Sequence, residues 1–214
     1  MKKLIITTII LLSISYVFSQ ESERNNASFS LGDGISFSFN EGDYEFNIFG
    51  FIKPTYIYND EKIYTADGEY SNVFRQFKSQ NSNLFFTGFA KDEKLSFTIQ
   101  MDYSSSNPLV EAFIGYHFNE KTTLYFGQMQ VNHNNLEMTH NEDRLRFTNR
   151  GILSQTYTEN GEEFGLFFET SFGKSIIFKP TLAITSGDGK NSFGDDSRDS
   201  DKGGVKFGSR VNIF

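Results

Sequence analysis

The 214-residue chain contains no cysteine, so neither a disulfide framework nor thiolate chemistry is open to it. Histidine is scarce, with only His117, His133 and His140 present. No Gly-X-Ser-X-Gly elbow and no phosphate-binding glycine loop occurs. The expectation is therefore a protein that is not an enzyme and uses no cofactor. His133 and His140 flank Glu137, but spacings of this kind arise readily by chance, and no metal is expected there. Positive charge is also short, with 20 Lys and Arg against 27 Asp and Glu and a formal net charge of −7. That balance argues against nucleic acid as a partner and supplies no global attraction for anions. Beyond the N-terminus, no apolar run is long enough for a transmembrane helix.

The N-terminus is the exception to the polar character. Lys2 and Lys3 precede an apolar run from Leu4 to Val17, and Phe18-Ser19-Gln20 leads into a polar stretch. This is the layout of a secretory signal peptide over residues 1–19, cleaved after Ser19. Without Lys2 and Lys3 the mature chain has 18 basic and 27 acidic residues, net −9. An exported chain without helical spans is compatible with an outer-membrane β-barrel.

What the sequence has in excess is aromatic residues. Phe and Tyr number 25 and 10, although the hydrophobic fraction is only 37%. A soluble core draws more on Leu, Val and Ala, whereas two-faced strands accommodate aromatics well. Leu95 to Tyr103 reads Leu-Ser-Phe-Thr-Ile-Gln-Met-Asp-Tyr, apolar and polar in strict alternation. A period of two marks a strand with one apolar and one polar face. Its nine residues match the length of a transmembrane strand, about 9–11 residues.

Comparable patterns predict eight strands, at 43–58, 82–90, 95–103, 109–118, 122–130, 162–170, 175–185 and 204–214. Residues 20–42 read as a polar periplasmic lead-in with room for one short strand at 35–39. Residues 43–214 form the predicted barrel region, and the fold class is all-β, an antiparallel transmembrane β-barrel. Pro54 and Pro180 sit on apolar strand faces, where proline marks bulges or changes of pairing. The even-numbered connections, 91–94, 119–121 and 171–174, are tight. The odd-numbered ones, 59–81, 104–108, 131–161 and 186–203, are longer. Short turns at one end and long loops at the other is the arrangement of outer-membrane barrels. A soluble β-sandwich gives no reason for such sorting. The last link carries Asp188, Asp195, Asp196, Asp199 and Asp201 without the ordered spacing of a calcium loop, and reads as a solvated external loop.

The polar strand faces carry Lys53, Lys179, Lys206 and Arg210 as candidate pore-lining cations. A ring of such residues selects anions. Glu45, Asp102, Glu111 and Glu169 fall on the same faces, so a mixed lumen is expected rather than a cationic ring.

Several segments resemble the phosphate-selective porin O and P family of Bacteroidota-like outer membranes. They are Asn47-Ile-Phe-Gly-Phe-Ile-Lys-Pro-Thr55, Thr123-Leu-Tyr-Phe-Gly-Gln-Met-Gln-Val131, Leu136-Glu-Met138, Arg146-Phe-Thr-Asn-Arg150, Gly161-Glu-Glu-Phe-Gly165 and the closing Val205-Lys-Phe-Gly-Ser-Arg-Val-Asn-Ile-Phe214. The resemblance implies a 16-stranded homotrimeric porin of which this chain is the N-terminal half. The function implied is passive diffusion of small hydrophilic solutes or anions, phosphate among them, through a pore set in outer-membrane lipid. Resemblance to general porins implies further that the link 131–161 folds inward, with Arg144, Arg146 and Arg150 at a constriction. The chain departs from the family at Asn132-His133, at Glu162 and in its acidic balance, which bears on phosphate more than on the pore. The alternative is a small eight-stranded outer-membrane barrel with a structural or surface-adhesion role.

Overall fold

The computed structural model describes residues 25–131, 161–187 and 204–214, with single positions at 153, 156 and 189. The predicted signal peptide and most of the links 131–161 and 186–203 lie outside the described residues.

The described residues form one antiparallel sheet of ten strands in simple sequence order. The strands are β1 (Asn25–Ser30), β2 (Gly34–Phe39), β3 (Tyr44–Thr65), β4 (Gly68–Ala90), β5 (Leu95–Asp102), β6 (Leu109–Asn119), β7 (Thr122–Gln130), β8 (Glu162–Thr170), β9 (Phe178–Thr185) and β10 (Lys206–Ile213). Each strand pairs with its sequence neighbours, and a 3-10 turn at Asn40–Gly42 lies between β2 and β3. Among the described residues no helix is long and apolar enough to cross a membrane. β1 pairs with β2 and β10 with β9, and the two outermost strands do not pair with each other.

The count of eight strands is corrected to ten, and one expected loop is corrected to strand. The stretch expected as a polar lead-in contains both β1 and β2, which form a hairpin in register Asn26↔Ser38 and Ser28↔Ser36. The stretch 59–81, expected as a loop, is ladder except for the turn at 66–67 and the bulge at Gln80: β3 and β4 pair from Tyr44↔Ala90 to Thr65↔Gly68. β2 covers β3 only as far as Ile48, and β5 covers β4 only from Asn83 onward. Residues 54–79 therefore leave the sheet as a two-stranded ribbon. The boundary is a register shift between Lys53 and Pro54. Proline donates no ladder hydrogen bond, so the break in register falls where the backbone can least sustain pairing. Pro180 marks another change of partner, since β9 pairs with β8 only from Thr181 onward while its ladder with β10 continues.

The connections are sorted by length less strictly than expected, since the link 31–33 lies at the end of the ribbon and the link 171–177 at the end of the tight turns. One end carries 40–43, 91–94, 120–121 and 171–177, and the other carries 31–33, the ribbon, 103–108, 131–161 and 186–205. The 91–94 turn is tight enough that Lys91, Asp92 and Glu93 all take positive φ, at 56°, 52° and 62°. It is closed by a hydrogen bond from Lys94 N to Lys91 O of 3.1 Å.

The sheet is strongly rolled. Phe49 of β3 and Asn212 of β10 line the same cavity of about 540 Å³. In a flat sheet these strands, seven steps apart, would lie about 34 Å from each other at the usual spacing of about 4.8 Å.

Candidate functional site

The two faces of the rolled sheet are opposite in chemistry, and their exposure is inverted relative to a soluble protein. In β9 the residues Thr181, Ala183 and Thr185 are 7%, 2% and 3% exposed, whereas Leu182 and Ile184 are 51% and 44% exposed. The ladders carry this alternation across the sheet. Phe167 pairs with Ala183, and Leu166 with Ile184. Ile99, Ile114, Phe126, Leu166, Phe207 and Val211 join the exposed apolar set, while Gln100, Thr123 and Glu163 are buried. The concave side thus carries buried polar groups mixed with aromatic rings such as Phe85 and Phe167, and the convex side is an exposed band of aliphatic and aromatic residues.

Aromatic packing ties the convex band together. Phe46 bridges Phe37, Phe86 and Phe97 with ring centroids 6.0–6.2 Å apart. Gly88 provides the space for this seam, because a Cβ there would come within 2.5 Å of the Phe97 ring and 2.4 Å of Glu45 O.

The ladder registers place Lys53, Lys179, Lys206 and Arg210 on the concave face, as their strand phase predicts. Lys53 and Arg210 are half-buried there, and Lys179 is exposed. Lys206 Nζ lies 2.7 Å from Glu163 Oε1. Glu163 is fully buried and also accepts a hydrogen bond from the Thr185 hydroxyl. The registers bring Glu45, Asp102, Glu111 and Glu169 to the same face. The described concave wall therefore has five carboxylates and four Lys or Arg, a mixed lining rather than a cationic ring. Arg144, Arg146 and Arg150 lie outside the described residues.

Hydrogen bonds fix much of this wall. Gln100 Nε2 donates to Asn83 Oδ1 at 2.9 Å across β4 and β5. Glu111 Oε1 accepts from Gln130 N at 2.9 Å. Asp102 Oδ1 accepts from Ser82 N at 3.0 Å and Ser104 N at 2.9 Å, which ends β5 and starts the 103–108 turn. His117 is held between two hydroxyls, Ser96 Oγ 2.9 Å from Nε2 and Thr123 Oγ1 3.0 Å from Nδ1. A hydrolytic triad needs a carboxylate at the second nitrogen, so this chain of three reads as part of the wall. Among the described residues no cluster of three His, Asp or Glu is arranged to hold a metal ion.

Two features of the wall were not anticipated. Glu163 shares strand phase with Phe167 and Glu169, and alternation alone assigns it to this face, but its full burial depends on Lys206 and Thr185 arriving from other strands. The second feature is a set of inward-facing aromatics. Phe49 and Phe85 stack at 4.5 Å with planes 1° apart, and Phe113 meets Tyr125 edge-on at 5.6 Å. Tyr125 in turn contacts the His117 ring at 6.3 Å. A search for strands with one apolar and one polar face treats such rings as noise.

No protein-family model matches the chain. A search of curated proteins finds no match either.

Proposed function

We propose that the chain forms wall strands of an outer-membrane porin, through which small hydrophilic solutes diffuse passively. The observation that carries this is the inverted exposure of the two faces. In water, a contiguous band containing Ile99, Ile114, Phe126, Leu166, Leu182 and Ile184 would drive association. Against lipid it is the required surface, and the polar concave face is the required lining. The dimensions agree. Leu95 to Tyr103 spans eight residue steps, about 26 Å at about 3.3 Å each. A strand tilt near 40° reduces this to about 20 Å of height, close to the roughly 25 Å apolar band of such barrels.

In this reading the ten strands form the described part of a closed wall, with a homotrimer as the assembly. The short-turn end faces the periplasm and the ribbon end faces outward. Residues 1–19 direct export. The mixed concave wall supports general diffusion over phosphate selection, because a ring of Lys and Arg is what selects anions.

Planar bilayers test the proposal. A folded, inserted chain should give stepwise ion conductance. One observation favours a second reading, that of a barrel with a structural or adhesive role: the ribbon 54–79 projects with Tyr56, Tyr64, Phe74 and Phe77 exposed. Insertion without current would replace the porin reading with that one.

A further inference from the structure

Resting on the porin reading, we infer that the concave wall carries a subsite for a neutral polyhydroxylated solute, a sugar of one or two rings. Three observations converge on the same cavity of about 540 Å³.

The first is the inward aromatics. A wall that only has to be wetted needs polar side chains, yet Phe49, Phe85 and Phe113 all line this cavity. Phe85 is buried beneath this surface, and the half-buried Phe49 and Phe113 rings present apolar surface that matches the axial C–H faces of a pyranose and offers nothing to a hydrated ion such as phosphate. The second is the polar set facing those rings. Thr98, Thr181, Glu111, Glu169, Arg210 and Asn212 line the same space. Together they offer hydroxyl, carboxylate, amide and guanidinium groups, the donors and acceptors that vicinal hydroxyls use. Apolar walls with a few convergent polar groups are the usual composition of a small-molecule site, and its volume falls within the usual range of about 300–1,000 Å³.

The third is charge. Of the charged residues at the cavity, Glu111 and Glu169 oppose the single cation Arg210. Nearby, Lys206 is committed to buried Glu163 at 2.7 Å. The local balance is slightly negative, which repels phosphate and leaves a neutral solute unaffected.

The test uses the full mature chain in planar bilayers in potassium chloride, with maltose as the probe and inorganic phosphate as the competitor. Maltose should reduce the current reversibly, with half-block at millimolar concentration, and phosphate at equal concentration should leave it unchanged. Phe113→Ser should raise the half-block concentration about tenfold. Phe113→Tyr, which keeps the ring, should stay near wild type, and the unblocked conductance step of each variant reports that the wall has formed. If Phe113→Ser fails to form channels, Asn212→Ala at the same cavity replaces it, with the same rise expected. Conductance that maltose does not alter, or block by phosphate instead, overturns the sugar subsite and leaves the porin reading intact. An inserted chain that never conducts overturns both.

Discussion

Replacing Lys206 with alanine should destabilise the sheet more than replacing Glu163 with glutamine, and the asymmetry follows from burial. The two charged atoms are 2.7 Å apart, but Glu163 is 0% and Lys206 44% exposed at the side chain. Their attraction is about 1.5 kcal/mol at the dielectric of water and about 6 kcal/mol at an effective value near 20. Desolvation of the carboxylate offsets most of the larger figure, and the half-exposed ammonium pulls the remainder toward the smaller one. Lys206→Ala leaves a buried carboxylate with the Thr185 hydroxyl alone. Breaking a fully buried pair costs about 3–5 kcal/mol, and discounting for the exposed lysine and the surviving hydroxyl gives about 2–3 kcal/mol. Glu163→Gln keeps a partner for Thr185 and leaves an ammonium that water can reach, so about 1 kcal/mol is expected. Urea unfolding of the two single variants and the double variant in lipid vesicles measures both costs and the coupling between them, expected near 1–2 kcal/mol. Two equal costs below about 0.5 kcal/mol would mean that the carboxylate is hydrated. The full burial of the Glu163 carboxylate would then be wrong.

Two further outcomes follow from the same geometry. Leu182→Arg should weaken insertion into bilayers by about 2–4 kcal/mol, while Thr181→Arg, one residue away on the concave face, should insert nearly as wild type; equal losses in a vesicle-folding titration would contradict the assignment of faces. Gly127→Ala should destabilise the β6–β7 ladder by about 2 kcal/mol or more, because Gly127 has φ of 135° and an added Cβ would lie 2.3 Å from Ala112 O; unchanged urea midpoints would refute that.

The parts of the fold legible in the sequence were those where the two strand faces meet different surroundings. Each of the eight predicted strands overlaps an observed one, and the phases of Lys53, Lys179, Lys206 and Arg210 agree with their concave placement. Alternation reports a difference between faces and says nothing about pairing as such. That is why Asp60, Glu61 and Lys62 in β3 read as loop: both faces of the ribbon are exposed, so no period of two is imposed, yet the backbone ladder from Asn59↔Phe74 to Thr65↔Gly68 is unbroken. β1 was missed for a related reason, since Asn25 to Ser30 is exposed on both faces. The candidate site was legible as a list of charges but not as a cavity. What joins Phe49 to Asn212 is the roll of the sheet, a property of ten strands together that no short window contains.

The break at Lys53 and Pro54 has a consequence for how this chain can vary. Below it, the β3 and β4 registers are held on both flanks, by β2 at Ile35↔Ile48 and by β5 from Asn83↔Asp102 to Ala90↔Leu95. Above it, the two strands answer only to each other. Adding or deleting one residue in each arm of the ribbon shifts its tip by about 3.3 Å and leaves every ladder of the wall untouched. The projecting arm can therefore lengthen, shorten or change its surface under selection from whatever meets it outside, while the wall keeps its own geometry.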